Sequence, residues 1–329
     1  MLGVGVIGTG AMGRNHVRVF SELASLKGIA DASDDVLKPL CKTYNTKGFT
    51  DIDKFLKMKE LDAVCIATPT MTHYEIAKKA LSAGKHVLLE KPMCSTVAQG
   101  VELEDIAKES GLVLSIGFIE RHNPVTLFTK SLIEKHQFGD IINLSSRRVS
   151  SYPARIRDVG VIMDLGVHDI DILRFFAGSE VVNVHCMAGR YSNPNFEDHA
   201  DIHLEFKNGI HAHLEVNWLT PMKARKVFLT CSQNFVEMDY TNQSLEISTS
   251  KFLDIDLGNL YSIPQAYDIE RVMVKQEEPL KREVADFLGA ITDKRAPLIS
   301  ANDGINVLRI ALACLESVKK KGCVSMEGS

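Results

Sequence analysis

Close to the start of the chain, the apolar run Val4-Gly5-Val6-Ile7 passes without interruption into Gly8-Thr9-Gly10-Ala11-Met12-Gly13, and helix-compatible sequence follows from Arg14 to Leu26. Few folds accept this order of strand, glycine-spaced turn and helix. Gly8 permits the tight turn out of the strand, Gly10 lets the backbone approach a pyrophosphate, and Gly13 lets the helix pack closely on the strand. The new helix points unpaired N–H groups and its positive dipole end at whatever binds there. Gly8, Thr9, Gly10, Ala11, Met12 and Gly13 are therefore the expected phosphate cradle. Asp31 stands 18 residues after Gly13, at the end of the short run Gly28-Ile29-Ala30. A carboxylate there accepts hydrogen bonds from ribose hydroxyls and repels a 2′-phosphate, so the expected cofactor is NAD rather than NADP.

Strand and helix patterns alternate through the first 120 residues. Residues 33–47 read as a helix with Ser33 as N-cap. The run 62–67 is a buried-type strand ending at Thr68-Pro69, and Thr72 to Glu75 has capping-box spacing before a helix that runs to Gly84. His86 to Leu89 is a strand that stops at Glu90-Lys91-Pro92. Ser95 is the expected cap of the next helix, which ends at Gly111, and Val113 to Phe118 is one more strand. This alternation implies a doubly wound parallel sheet, in which ligands bind beyond the carboxyl ends of the strands. Thr68-Pro69, Glu90-Lys91-Pro92 and residues 118–123 all stand at such ends.

Beyond residue 120 the pattern changes. The expected division is a nucleotide-binding domain over 1–120 and an α+β substrate and oligomerisation domain over 121–329, with a large, mostly antiparallel sheet between 180 and 275. Around Asn208-Gly209, a three-residue loop pairs Phe206 with Ile210 and His203 with His213, which keeps the apolar residues on one face. His203, His211 and His213 then share the polar face. With no carboxylate or cysteine spacing to complete a ligand set, that face reads as solvated or subunit-facing, and no metal site is expected. In Val161 to Asp171, Asp164 and His168 are four apart and share one helix face. A histidine there suits removal of a hydroxyl proton, whereas a purely structural pair has the same spacing. Asp169 and Asp171 are expected to face solvent or to cap. The last 50 residues return to packing helices, and the terminal 327–329 are set aside as a tail.

Net charge of −4 and pI near 6.3 argue against a general nucleic-acid or membrane-surface binder. Seven scattered cysteines without a C-x-x-C pair fit free thiols. The apolar runs are too short to span a bilayer. The strand beginning within four residues of Met1 leaves no room for a signal peptide, so a cytoplasmic protein is expected.

The order G-T-G-A-M-G, A-T-P-T-x-x-H, E-K-P and D-L-G-V-H-D-I-D resembles the Gfo/Idh/MocA oxidoreductases, which are NAD(P)-dependent sugar and cyclitol dehydrogenases. The resemblance spans residues 1–325. It implies cofactor contacts at Thr68, Pro69, His73, Glu90 and Lys91, with Pro92 after a cis bond. It further implies that Lys91 hydrogen-bonds the reacting hydroxyl oxygen, that Asp164 and His168 complete the catalytic set, and that the open sheet makes a homodimer or homotetramer. Here Asp158-Val159-Gly160-Val161 stands where the family often has a run of glycines.

Arg147, Arg148, Arg155 and Arg157 lie just upstream of Asp164, with Arg121 at the domain junction. Such a cluster suits a substrate phosphate or carboxylate, or else it is a solvated basic loop. The stretch from Phe118 to Pro124 resembles the E-R-F-N-P segment of the branch containing UDP-N-acetylglucosamine 3-dehydrogenases. The expected substrate contacts are Arg121, Asn123, Arg148, Arg157, Asp164 and His168. The expected activity is NAD-dependent oxidation of a sugar hydroxyl, favouring UDP-N-acetylglucosamine at C3. A free-sugar or myo-inositol dehydrogenase and a non-catalytic NAD-binding regulator are the alternatives.

Overall fold

The computed structural model describes residues 1–153, 159–251 and 266–326. They divide into two compact units, the first comprising Met1–His122 and Glu278–Arg309, the second Asn123–Glu277 and Ile310–Ser329.

In the first unit, β1 (Gly3–Ile7), α1 (Ala11–Leu23), β2 (Ser25–Ala30), α2 (Asp34–Tyr44), β3 (Lys47–Phe49), α3 (Ile52–Leu56), β4 (Ala63–Ile66), α4 (His73–Ser82), β5 (His86–Glu90), α5 (Val97–Glu109) and β6 (Leu114–Gly117) follow in order. The six strands form one parallel sheet, ordered β3-β2-β1-β4-β5-β6. The switch of direction after β1 opens the crevice in which such sheets take a dinucleotide.

Local chemistry moved several boundaries. α1 starts at Ala11 and ends at Leu23, because Ala24 is extended and Ser25 N–H already donates to Leu2. α2 stops at Tyr44, where Asn45 adopts a left-handed conformation (φ 47°) and releases the chain into β3. Ser33 is its N-cap by position only and makes no side-chain cap bond. The capping box is not at Thr72. That hydroxyl donates instead to the Pro69 carbonyl and lies 2.8 Å from Thr68 Oγ1. A reciprocal box forms one helix later, between Thr96 and Gln99, in place of the expected Ser95 cap.

The Pro279–Thr292 helix belongs with the first unit, although a boundary at 120 assigned it to the second domain. Leu280, Val284 and Phe287 enter the core formed by Val4, Val6, Val17, Phe20, Ile29, Cys65 and Leu88. Phe287 meets Phe20 edge to face at 6.5 Å. Burying each such aromatic contributes about 2–3 kcal/mol, and periodicity alone could not name which core receives it.

The second unit contains α6 (Pro124–Glu134), β7 (Ile141–Ser151), α7 (Val167–Ala177), β8 (Val181–Gly189), β9 (His199–Phe206), β10 (His211–Asn217), β11 (Leu219–Cys231), β12 (Asn234–Asp239), β13 (Ser244–Lys251), β14 (Ala266–Met273) and β15 (Val324–Ser325). These strands form a sheet ordered β14-β13-β12-β11-β7-β10-β9-β8-β15, antiparallel except for the β7–β10 pair. The hairpin has the expected register. His203 lies opposite His213, Phe206 N–H donates to Ile210 O, and Gly209 takes φ 86°. The rings of His203 and His213 are 4.8 Å apart, and His211 is exposed on the same face.

All seven cysteines are free. Among the described residues, no helix is long and apolar enough to cross a membrane.

Candidate active site

The turn after β1 has the shape its glycines require. Gly8 adopts φ 87°, and a Cβ on Gly13 would stand 1.9 Å from the Gly8 carbonyl oxygen. A Cβ on Gly10 would meet nothing within 4 Å, so the backbone there borders open space. Gly10 caps α1 without a side-chain bond, and the first helical hydrogen bond runs from Arg14 N–H to Gly10 O. The amides of Ala11, Met12 and Gly13 are thus the free donors of a thirteen-residue helix.

Thr9 is fully buried and turned away from this space. Its N–H and Oγ1 each donate to Asp31 Oδ2 at 2.7 Å, while Ser33 N–H donates to Oδ1 at 3.1 Å. Burial alone would raise the Asp31 pKa. The donors from Thr9, Ser33 and Ala32 outweigh it and hold the carboxylate below its usual range. Asp31 is only half-buried, so ribose hydroxyls can still reach its carboxylate. Open glycine backbone, free amides and a fixed anion at the end of β2 together fit NAD.

At the ends of β4 and β5, two of the expected cofactor residues serve as braces. His73 is buried, and its ring nitrogens lie 2.9 Å from the carbonyl oxygens of Thr68 and Pro92, joining the two strand ends. Glu90 points inward, with Oε1 2.7 Å from His16 Nε2. Lys91, half-buried, follows immediately and is joined to Pro92 by a cis peptide bond. At the same edge Thr68 is half-buried and Pro69 is exposed.

In the second unit, Asp164 lies on a π-type turn, Ile162–Gly166, that runs into α7. Val167 N–H donates to Ile162 O, the wide i→i+5 spacing that often marks functional positions. Asp164 and His168 remain roughly one turn apart, the former buried and the latter half-buried. Glu197 pins the entrance to this turn. Its backbone O accepts from Val161 N–H at 2.9 Å and its Oε1 from Ile162 N–H at 3.3 Å. A Cβ on Gly160 would stand 2.1 Å from that same oxygen, so the one glycine retained there has a mechanical role.

Asp164 and Leu165 line a cleft of about 360 Å³ with Tyr152, Trp218, Lys223 and Arg225. Tyr152 packs edge to face on buried Trp218 at 5.6 Å and accepts a hydrogen bond from Asn193 Nδ2. Asp198 holds the adjoining loop by accepting the amides of Tyr191, Ser192 and Asn193.

Among the described residues, the expected arginines do not line this cleft. Arg148 is buried and ion-paired to Asp169, with its guanidinium 5.1 Å from the Tyr240 ring centre. This also corrects the expectation for Asp169 and Asp171, which are fully buried rather than solvent-facing. Arg147 bonds Glu215 across the β7–β10 pair. In the first unit, Arg121 is buried against Asp303 at 2.9 Å. Asn123 is consumed as the α6 cap, accepting from Val125 N–H and donating to Tyr240 O. Arg155 and Arg157 lie outside the described residues, as does the 327–329 tail. The cations beside Asp164 are instead Lys223 and Arg225 on β11. Sequence reasoning missed them, although their spacing of two puts both on one face of a strand.

The Gfo/Idh/MocA model for an oxidoreductase NAD-binding Rossmann fold matches residues 2–118, and that family's C-terminal domain matches residues 127–246. UDP-N-acetylglucosamine 3-dehydrogenase of Acidithiobacillus ferrooxidans is 30% identical over 308 residues, 94% of each chain. Inositol 2-dehydrogenase of Rhizobium meliloti is 25% identical over 98% of each chain. A solved structure of the Acidithiobacillus enzyme superposes with a TM-score of 0.87 at 29% identity, covering 97% of this chain and 98% of that one. With the glycine cradle, the Asp31 anchor and two matched domains, the chain belongs to the Gfo/Idh/MocA family as an NAD-binding oxidoreductase.

Proposed function

We propose that the protein oxidises a secondary hydroxyl of a nucleotide sugar, with UDP-N-acetylglucosamine at C3 as the favoured substrate. The observation that carries this reading is the cleft of the second unit, where two cations and an aromatic wall adjoin Asp164. Lys223 and Arg225 supply donors for a diphosphate, and the similarity to the Acidithiobacillus enzyme supports the same class. His168 is the general base that takes the hydroxyl proton, and Asp164 orients it and favours its cationic form. Lys91 donates to the oxygen as negative charge grows there. NAD, when bound, supplies the hydride acceptor at nicotinamide C4.

The test is NADH formation at 340 nm with UDP-N-acetylglucosamine, UDP-glucose, glucose and myo-inositol, for wild type and a Lys223→Glu/Arg225→Glu variant. Turnover is expected with the UDP sugars, and the variant should raise their KM at least about tenfold. Turnover only with glucose or myo-inositol would replace this reading with the free-sugar or inositol one, which the Rhizobium relative favours.

The same proposal includes a homo-oligomer through the open sheet. Met187, Phe235 and Ile269 are exposed on the face that carries His203 and His213. Light scattering coupled to gel filtration should give a dimer or tetramer mass; a monomer at micromolar concentration would reject it.

A further inference from the structure

Behind the end of β5, three ionisable side chains meet within the first unit, nearly enclosed. His16 of α1 is fully buried, Glu90 is 7% exposed, and Glu283 of the Pro279–Thr292 helix is 1% exposed. A ligand-type atom from each lies within 4.8 Å of the other two. Glu90 is well supplied with donors, since Oε1 is 2.7 Å from His16 Nε2 and Oε2 accepts Lys91 N–H at 3.3 Å. Among the described residues, neither oxygen of Glu283 has a hydrogen-bond partner, nor has His16 Nδ1.

Two readings compete for this cluster. Donors each bonded to one divalent ion at about 2.1 Å stand about 3 Å or more apart. His16 and Glu90 are closer than that and share a hydrogen bond, so the geometry favours a proton over an ion. Charge says where the proton resides. Glu90 faces Lys91 and His73, whereas Glu283 faces Glu90 and, one turn along its own helix, Asp286. The neighbour on β4, Cys65, has a thiol pushed well up by burial and by both glutamates, so it stays neutral. Burial, then the charges of Glu90 and Asp286, hold the Glu283 carboxyl well above its usual range. Burial also acts on Glu90, but His16, Lys91 and His73 more than offset it and keep that carboxyl low. One anion and one neutral acid is the stable state of the pair.

Asp31 at the end of β2 would hold the ribose of the adenosine half, and the other half of a bound dinucleotide would then lie toward the ends of β4 and β5. Its nicotinamide ring carries a positive charge in NAD and none in NADH. We propose that the His16–Glu90–Glu283 cluster stores one proton on Glu283 and releases it to solvent when oxidised cofactor binds, but retains it when reduced cofactor binds. On release the Glu283 O–H bond breaks, its electron pair stays on the carboxylate, and the new negative charge balances the incoming positive one. The proton therefore tracks the cofactor's oxidation state, and NAD affinity should rise relative to NADH affinity as pH rises.

The test uses binary complexes without substrate, so it stands or falls separately from the sugar-oxidation reading. Dissociation constants for NAD and NADH are measured by fluorescence titration from pH 6 to 9 in wild type, Glu283→Gln and Glu283→Leu. In wild type the ratio of the NAD constant to the NADH constant should fall by up to about tenfold per pH unit over part of this range, the slope of one proton. In either folded variant that slope should disappear. An equal slope in wild type and variants, or none in wild type, would overturn the proposal. Mixing wild type with each cofactor in a weakly buffered indicator dye gives a second reading, and equal proton release by both cofactors would also overturn it. A stoichiometric divalent ion found by elemental analysis in wild type and lost in Glu283→Gln would establish the metal reading instead.

Discussion

Lys91→Met is expected to lower kcat by about 10²–10⁴-fold, the range for removing a positioned proton-donating group, while NAD binding changes less than about twofold. Methionine keeps the apolar stem and removes only the ammonium group, and the phosphate cradle at Gly8 to Gly13 and the Asp31 anchor are untouched. Steady-state NADH production and a fluorescence titration with NADH check the two halves separately. Undiminished turnover would remove Lys91 from the chemistry. Loss of cofactor binding in proportion to turnover would make it a binding residue instead.

The second large effect is on stability. Arg148→Met leaves Asp169, which is 0% exposed, without its buried countercharge. Removing one partner of such a pair costs about 3–5 kcal/mol, enough to unfold a marginal protein. Arg148→Met/Asp169→Leu should recover most of the loss, because replacing both partners by apolar groups is often neutral. Urea unfolding midpoints check the order wild type, double variant, single variant. The KM of the double variant for a UDP sugar separates a structural arginine from a substrate-binding one. A value near wild type is expected, whereas a large rise would return Arg148 to the substrate.

These outcomes bear on which parts of the chain could be read in advance. The glycine loop, the parallel sheet and the Phe206–Ile210 register were legible because each follows from a local rule: a turn geometry, an alternation, or a face that must stay apolar. The arginines were not. Arg148 and Asp169 are 21 residues apart, and only the placement of α7 against β7 turns a basic stretch into a buried pair. Asp171 was misjudged for the same reason, since an apolar helix buried on nearly every side offers no solvent face. Lys223 and Arg225 escaped notice because the strand that aligns them was not delimited beforehand. Glu283 carried no motif at all, and its meeting with His16 and Glu90 is wholly tertiary.

The interrupted path of the first unit also matters during synthesis. When residue 122 leaves the ribosome, all six strands of the parallel sheet exist, but Val284 and Phe287 have not been made and the apolar surface over Val17 and Phe20 lacks its cover. About 165 further residues must be translated first, a delay on the order of 8–33 s at ordinary elongation rates. Throughout that interval the nascent cofactor domain is an incomplete globule, and a chaperone that shields the α1 face would serve as a temporary substitute for a helix encoded near the end of the message.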